Sequence, residues 1–218
     1  MNATPGGTIP RPPATGLYAI TPDEPDTRRL LAQVETVLAA GATWLQYRNK
    51  QASDDLRVEQ ALALQPLCRA HAVPLIINDD WALAAAIGAD GAHLGTSDGE
   101  LAIAREALGP GAILGASCYD DPKLSRLAVF AGASYVAFGA FHPSSSKPDA
   151  RCASPELLRN AAALGVPRVA IGGITPDNAR PLIEAGADLV AVISGVFDAA
   201  DPAAAVRAYL SCFDEATA

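Results

Sequence analysis

Eight short apolar runs recur along the chain, at residues 17–20, 43–47, 75–77, 91–94, 112–116, 134–138, 168–171 and 189–192. Almost every one leads directly into polar residues or glycines. These are Gln46-Tyr47-Arg48-Asn49-Lys50, Asn78-Asp79, Gly95 to Asp98, Ser117, Ser144-Ser145-Ser146-Lys147, Gly172-Gly173 and Ser194-Gly195. Helix-length sequence separates consecutive runs. A strand, a polar tip and a helix, repeated eight times, predict an α/β fold, a single (β/α)8 TIM barrel. In that architecture the chemistry gathers at the C-terminal ends of the strands.

Eight β/α units use most of the 218 residues, so one barrel domain is expected over 15–218. The Pro/Gly/Thr-rich stretch 1–14 reads as a flexible tail. No apolar run is long enough to span a bilayer, and no charged-then-apolar leader precedes the first strand, so a cytoplasmic protein without membrane partners is expected. The net charge is −8, and no Lys/Arg block interrupts it. Nucleic-acid binding, which needs a basic face, is excluded as the main role. Cys68, Cys118, Cys152 and Cys212 lie far apart. Without a C-x-x-C element they read as reduced, mostly buried thiols, neither a zinc site nor a redox pair.

Helices are expected near 26–40, 53–72, 80–87, 99–108, 121–131, 154–164, 175–185 and 201–212. Leu30, Leu31, Val34, Val37 and Leu38 form the apolar stripe of the first. Asp121-Pro122, Ser154-Pro155, Thr175-Pro176 and Asp201-Pro202 each pair a capping side chain with a proline that needs no N–H. Asp80 reads as the cap of the helix after the third run. Gly88-Ala89-Asp90, Gly132-Ala133-Ser134 and Gly186-Ala187-Asp188 echo one another before strands. They belong to the stability face of a barrel, opposite the chemistry.

Six tips carry residues suited to an anionic ligand and its counter-ion. Gln46, Arg48 and Lys50 alternate, so they share a face while Tyr47 and Asn49 point the other way. One amide and two cations on one face suit a diphosphate and a polar heterocycle. Asp79 and Asp98, on adjacent tips, come within reach of one hard cation, and Mg2+ takes one or two carboxylates plus phosphate oxygens. Gly172-Gly173 and Ser194 close strands seven and eight, the pair of loops that binds phosphate through bare amides in many barrels. Ser144, Ser145, Ser146 and Lys147 lie in the longest connection, 139–153, and supply hydroxyl donors backed by one positive charge. That stretch reads equally as a solvated serine-rich loop. His71 and His93 read as structural. His142, the only histidine in the long loop, reads as a hydrogen-bonder before it reads as an acid or base.

Taken in order, these tips, together with Asp90 to Gly95, Gly115 to Ser117, Ile171 to Ile174 and Val192 to Ser194, resemble the thiamine phosphate synthase (thiamine-phosphate pyrophosphorylase) family from about residue 16 to 209. The resemblance implies a transferase that joins two phosphorylated heterocycles, pyrimidine diphosphate and thiazole phosphate. By position, Gln46, Tyr47, Arg48, Asn49, Lys50, Asn78, Ser117 and Lys147 hold the pyrimidine diphosphate. Ser144, Ser145, Ser146, Gly172, Gly173, Ile193 and Ser194 hold the thiazole phosphate, and Asp79 and Asp98 hold Mg2+. Arg48, Lys147 and Ser117 are the residues expected to act on the departing diphosphate. The chain departs from the family pattern at Asn49, where an acid is common, at His142, where phenylalanine is common, and at Ser144-Ser145-Ser146, where Thr-x-Thr is common. Two rivals remain: a thiazole tautomerase-like barrel and a catalytically silent barrel that senses a phosphorylated ligand. Neither needs the carboxylate pair together with the diphosphate cations. Oligomeric state, a homo-oligomer included, is left open.

Overall fold

Apolar residues on both faces of each strand demand cover on both sides, and a closed barrel inside a ring of helices provides it. The computed structural model describes residues 15–143 and 152–216. Its eight parallel strands close in chain order, β1 pairing with β8. The strands are β1 (Gly16–Ile20), β2 (Trp44–Tyr47), β3 (Leu75–Asn78), β4 (Gly91–Leu94), β5 (Ile113–Tyr119), β6 (Tyr135–Phe138), β7 (Arg168–Ile171) and β8 (Leu189–Val192). Between and after them run α1 (Thr27–Ala39), α2 (Asp54–Ala70), α3 (Trp81–Ile87), α4 (Leu101–Leu108), α5 (Pro122–Phe130), α6 (Glu156–Asn160), α7 (Pro176–Glu184), α8 (Ser194–Phe197) and α9 (Pro202–Ala216). The tail at 1–14 and the segment 144–151 lie outside the described residues. Among the described residues no helix is long and apolar enough to cross a membrane.

Alternation along each strand sorts the core into two clusters. Leu17, Leu45, Tyr47, Ile77, Ala92, Leu114, Cys118, Phe138 and Val190 face the helices. Tyr18, Ile20, Trp44, Ile76, Ile113, Tyr135, Val169, Leu189 and Ala191 fill the barrel. Gln46 follows Trp44 by two residues, and Ser117 follows Ile113 by four. Strand parity therefore gives them the inner face.

Two elements differ from expectation. β5 runs on to Tyr119, with a register shift between Ser117 and Tyr119, so Ser117 belongs to a strand and not to the loop after it. The expected helix at 154–164 divides into α6 and a four-residue 3-10 turn, Ala161–Leu164. The caps fall where the Asp/Ser/Thr signals lie. Asp26 accepts from Arg29 N, Asp80 from Leu83 N, and Asp121 from Lys123 N. Thr175 and Asn178 close a reciprocal capping box on α7. Cys68, Cys118 and Cys212 are buried free thiols, while Cys152 is exposed.

The Gly-Ala-Asp/Ser echoes have a shared structural job. In each, the third side chain accepts the amide of a neighbouring strand's first turn of chain. Asp90 takes Leu75 N at 2.8 Å, Ser134 takes Leu114 N at 3.1 Å, and Asp188 takes Arg168 N at 2.8 Å. Arg105 adds four bonds to this floor, to the carbonyls of Gly132, Gly109 and Ala112 and to Ser134 Oγ. Arg105→Met is therefore expected to lower the unfolding free energy by about 2–4 kcal/mol. Turnover should stay within about twofold, because the floor is remote from the strand tips. Urea unfolding checks this, and a loss below about 0.5 kcal/mol would show that water replaces these bonds.

Candidate active site

The loop after β1 organises the tip of β2. Thr21 is fully buried. Its hydroxyl accepts from Arg48 N and donates to Arg48 O, both at 2.8 Å. Asp23 Oδ1 then takes Lys50 N at 2.7 Å and the Arg48 guanidinium at 3.1 Å. Asp23 thus ties the Arg48 side chain and the Lys50 backbone to the loop after β1, while the Lys50 side chain reaches Asp79. Sequence reasoning passed over Thr21 and Asp23, because nothing in a short polar loop announces a partner 25 or more residues away.

Tyr47 and Asn49 turn towards the helix layer, as alternation predicts. Tyr47 is buried against the helix layer, and its hydroxyl donates to Gln60 Oε1 at 2.8 Å. The Asn49 amide donates to that same oxygen and to Glu24 O. Both side chains brace α2 and the first loop. They turn outward because the strand's period is two and Gln46 takes the inner face.

Asp79 and Asp98 converge. Asp79 adopts φ 62°, the left-handed region, which turns its side chain out of the strand direction. Lys50 Nζ lies 3.2 Å from Asp79 Oδ2. The Asp98 carboxylate lies against that of Asp79 and takes Gly95 N at 2.6 Å. Burial, then the Asp98 contact, raise the Asp79 pKa above the usual carboxylate range, and Lys50 opposes them. Two carboxylates in contact need a shared proton or a cation, which is the donor set of a hard divalent ion. Among the described residues no group of three or more His, Cys, Asp or Glu gathers. A cation held here would complete its shell with water or ligand oxygens.

The tips of β6, β7 and β8 meet next. Phe141 N donates to Ile171 O at 3.2 Å and His142 N to Gly172 O at 3.0 Å, laying the start of the long loop along the glycine pair. A side chain at Gly173 would sit 2.4 Å from Pro143 O and 2.6 Å from His142 O, at φ +63°. Close approach of backbone is therefore what both glycines supply. Ile193 packs against the barrel-filling cluster, and Ser194 opens α8. Ser144, Ser145, Ser146 and Lys147 lie outside the described residues.

His93 is a buried, hydrogen-bonded residue of the barrel interior, in keeping with its structural reading. It points into the barrel with both ring nitrogens engaged, Nδ1 at 2.8 Å from the Tyr135 hydroxyl and Nε2 at 2.9 Å from Ser117 Oγ. Burial pushes its pKa down to about 4. Tyr135 fits only because residue 115 is glycine; a Cβ there would lie 2.0 Å from the ring. Asn78, in register with His93, ends β3 at the same level.

A closed parallel barrel whose C-terminal tips gather a carboxylate pair, two cations, an inward amide and an inward hydroxyl defines a barrel enzyme built for an anionic ligand. The family model for thiamine monophosphate synthase matches residues 17–196. The thiamine-phosphate synthase of Xanthomonas campestris pv. campestris (strain 8004) is 59% identical over 202 residues, covering 93% of this chain and 97% of that protein. The thiamine-phosphate synthase of Xylella fastidiosa (strain Temecula1) is 56% identical over 203 residues, covering 93% and 86%. A solved thiamine phosphate pyrophosphorylase from Pyrococcus furiosus superposes with a TM-score of 0.82 at 34% identity, covering 94% of this chain and 98% of that one. The chain belongs to the thiamine monophosphate synthase family and is an enzyme of the transferase class.

Proposed function

We propose that the protein condenses 4-amino-5-hydroxymethyl-2-methylpyrimidine diphosphate with hydroxyethylthiazole phosphate, giving thiamine phosphate and pyrophosphate. The observation that carries the reading is the convergence of Lys50, Asp79 and Asp98. A tautomerase or a silent sensor has no use for that set.

In the proposed reaction the methylene C–O bond of the pyrimidine diphosphate breaks first. Pyrophosphate leaves with the electron pair, and the thiazole nitrogen's lone pair forms the new C–N bond. The nitrogen carries no proton, so no general base is required, in keeping with His142 serving only as a loop residue. Arg48 and Lys50 bind the diphosphate oxygens, and Lys147 joins them in neutralising charge as it develops on the leaving group. Gln46, Asn78 and Ser117 hold the pyrimidine ring. Gly172, Gly173, Ile193, Ser194 and Ser144 to Ser146 hold the thiazole phosphate. Asp79 and Asp98 would hold Mg2+, which when bound supplies Lewis-acid stabilisation of the diphosphate.

The test gives purified protein both substrates, with and without Mg2+, and quantifies thiamine phosphate and pyrophosphate. Equal, Mg2+-dependent formation of both is expected. Thiazole phosphate binding with no product would overturn the reading in favour of a tautomerase or sensor. Lys147→Ala is expected to slow turnover by about 10²–10³-fold. A near-normal kcat would remove Lys147 from the leaving-group site.

A further inference from the structure

Gln46, Tyr18, Tyr135, His93 and Ser117 stand on five different strands, β2, β1, β6, β4 and β5, yet their polar atoms form one unbroken chain inside the barrel. Gln46 Nε2 donates to the Tyr18 hydroxyl at 2.8 Å, and the Tyr18 and Tyr135 hydroxyls meet at 2.9 Å. The Tyr135 hydroxyl then meets His93 Nδ1, and His93 Nε2 meets Ser117 Oγ. Edge-to-face packing of Tyr18, Trp44 and Tyr135 fixes the two phenols, and the His93 ring stacks on Tyr135 with centroids 5.5 Å apart.

Each hydroxyl owns one hydrogen, and a neutral imidazole owns one N–H. Direction therefore propagates along the chain. Tyr18 accepts from Gln46, so its own hydrogen goes to Tyr135. Tyr135 then donates to His93 Nδ1. His93 carries its proton at Nε2 and donates to Ser117 Oγ. The hydrogen of Ser117 is the one left over. A cationic ring does not fit: it would donate at both nitrogens and turn the Tyr135 hydrogen back onto Tyr18, whose own buried hydrogen would then lose its acceptor. The lowered pKa of His93, caused mainly by burial, agrees.

We propose that Tyr18, Tyr135 and His93 are positioning residues of a hydrogen-bond polarity relay, which makes Gln46 offer its carbonyl oxygen and Ser117 its hydroxyl hydrogen to the bound pyrimidine. Run the other way, the chain flips the Gln46 amide, moves the proton to Nδ1 and turns the Ser117 hydrogen onto His93. A ligand would then meet a donor at 46 and an acceptor at 117. An aminopyrimidine, with an exocyclic N–H donor beside a ring-nitrogen acceptor, complements the first order. Its oxo analogue, with a carbonyl beside a ring N–H, complements the second. The relay thus selects amino over oxo through residues that touch no substrate. This selectivity rests on the proposed pyrimidine site, whereas the tautomer does not.

The experiment has two arms. Nitrogen–proton NMR of the ligand-free protein reads the tautomer of each of its three histidines, with His93 assigned by the loss of its signals in His93→Asn. The Nε2–H tautomer is expected, and an Nδ1–H or cationic ring overturns the relay whatever the substrate is. The second arm uses Tyr135→Phe, which keeps the ring and its packing but breaks the chain. The KM for the aminopyrimidine diphosphate should rise about tenfold or more, with the KM for thiazole phosphate within about twofold. The wild-type preference for the amino over the oxo diphosphate, about 10²-fold or greater, should shrink by about tenfold or more in the variant. An undiminished preference, or equal losses on both co-substrates, overturns the relay. If the Nε2–H tautomer is found but no pyrimidine diphosphate turns over, the relay stands and the proposed reaction fails.

Discussion

Asp79→Asn is expected to lower kcat/KM by about 10²–10³-fold and to shift the Mg2+ titration midpoint upward by about tenfold or more. The choice of asparagine isolates the charge. Asp79 sits at φ 62°, where Asn and Asp are tolerated better than alanine. Asp79→Ala would mix lost charge with backbone strain of about 1 kcal/mol. The Asp79 carboxyl is held beside Asp98, and burial and that neighbour disfavour its ionised form in the folded protein. Removing the charge relieves this repulsion, so the ligand-free variant should unfold at the same urea concentration or a higher one. Loss of activity without loss of stability separates a ligand-holding carboxylate from a structural one. An unchanged Mg2+ titration would remove Asp79 from the cation site.

Much of this site follows from strand parity. Gln46, Arg48 and Lys50 alternate, and Asp23 holds the Arg48 guanidinium and the Lys50 backbone amide. The same parity sends Tyr47 and Asn49 outward. The strands themselves were legible because both faces of a barrel strand are buried, leaving apolar runs that differ sharply from the polar tips. That double burial also hides which parity faces inward. Tyr18, Trp44 and Tyr135 fill the barrel, while Leu17, Leu45 and Phe138 face the helices, yet both sets read alike as core. His93 was set aside for this reason. Its signal lay in register, since Asn78, His93 and Gly115 pair side by side across β3, β4 and β5. Register becomes visible only once the barrel closes. Ser117-Cys118-Tyr119 reads as loop because it is short and polar, but pairing with β6 continues past the bulge and keeps it in the strand.

Gly173→Val is expected to reduce kcat/KM for both substrates by about 10²–10³-fold and to cost about 2–4 kcal/mol of stability. Two effects act at one atom. At φ +63° a β-branched residue is strained by about 1–2 kcal/mol. Its Cβ would also overlap the carbonyl oxygens of His142 and Pro143, at 2.6 and 2.4 Å. Those are backbone atoms, so relief requires the loop to move as a unit. That loop is held only lightly to β7, through Phe141 N on Ile171 O and His142 N on Gly172 O. Moving it shifts the point from which Ser144 to Lys147 leave, and so disturbs the proposed hydroxyl and lysine donors together. A displacement of about 1 Å in positioning groups is enough for losses near 10²-fold. Kinetics and urea unfolding on one preparation separate the two effects. Lost activity with stability within about 1 kcal/mol of wild type means the loop yields and the barrel stays intact. Near-normal activity on both substrates would show that the glycine pair does not set the position of the long loop.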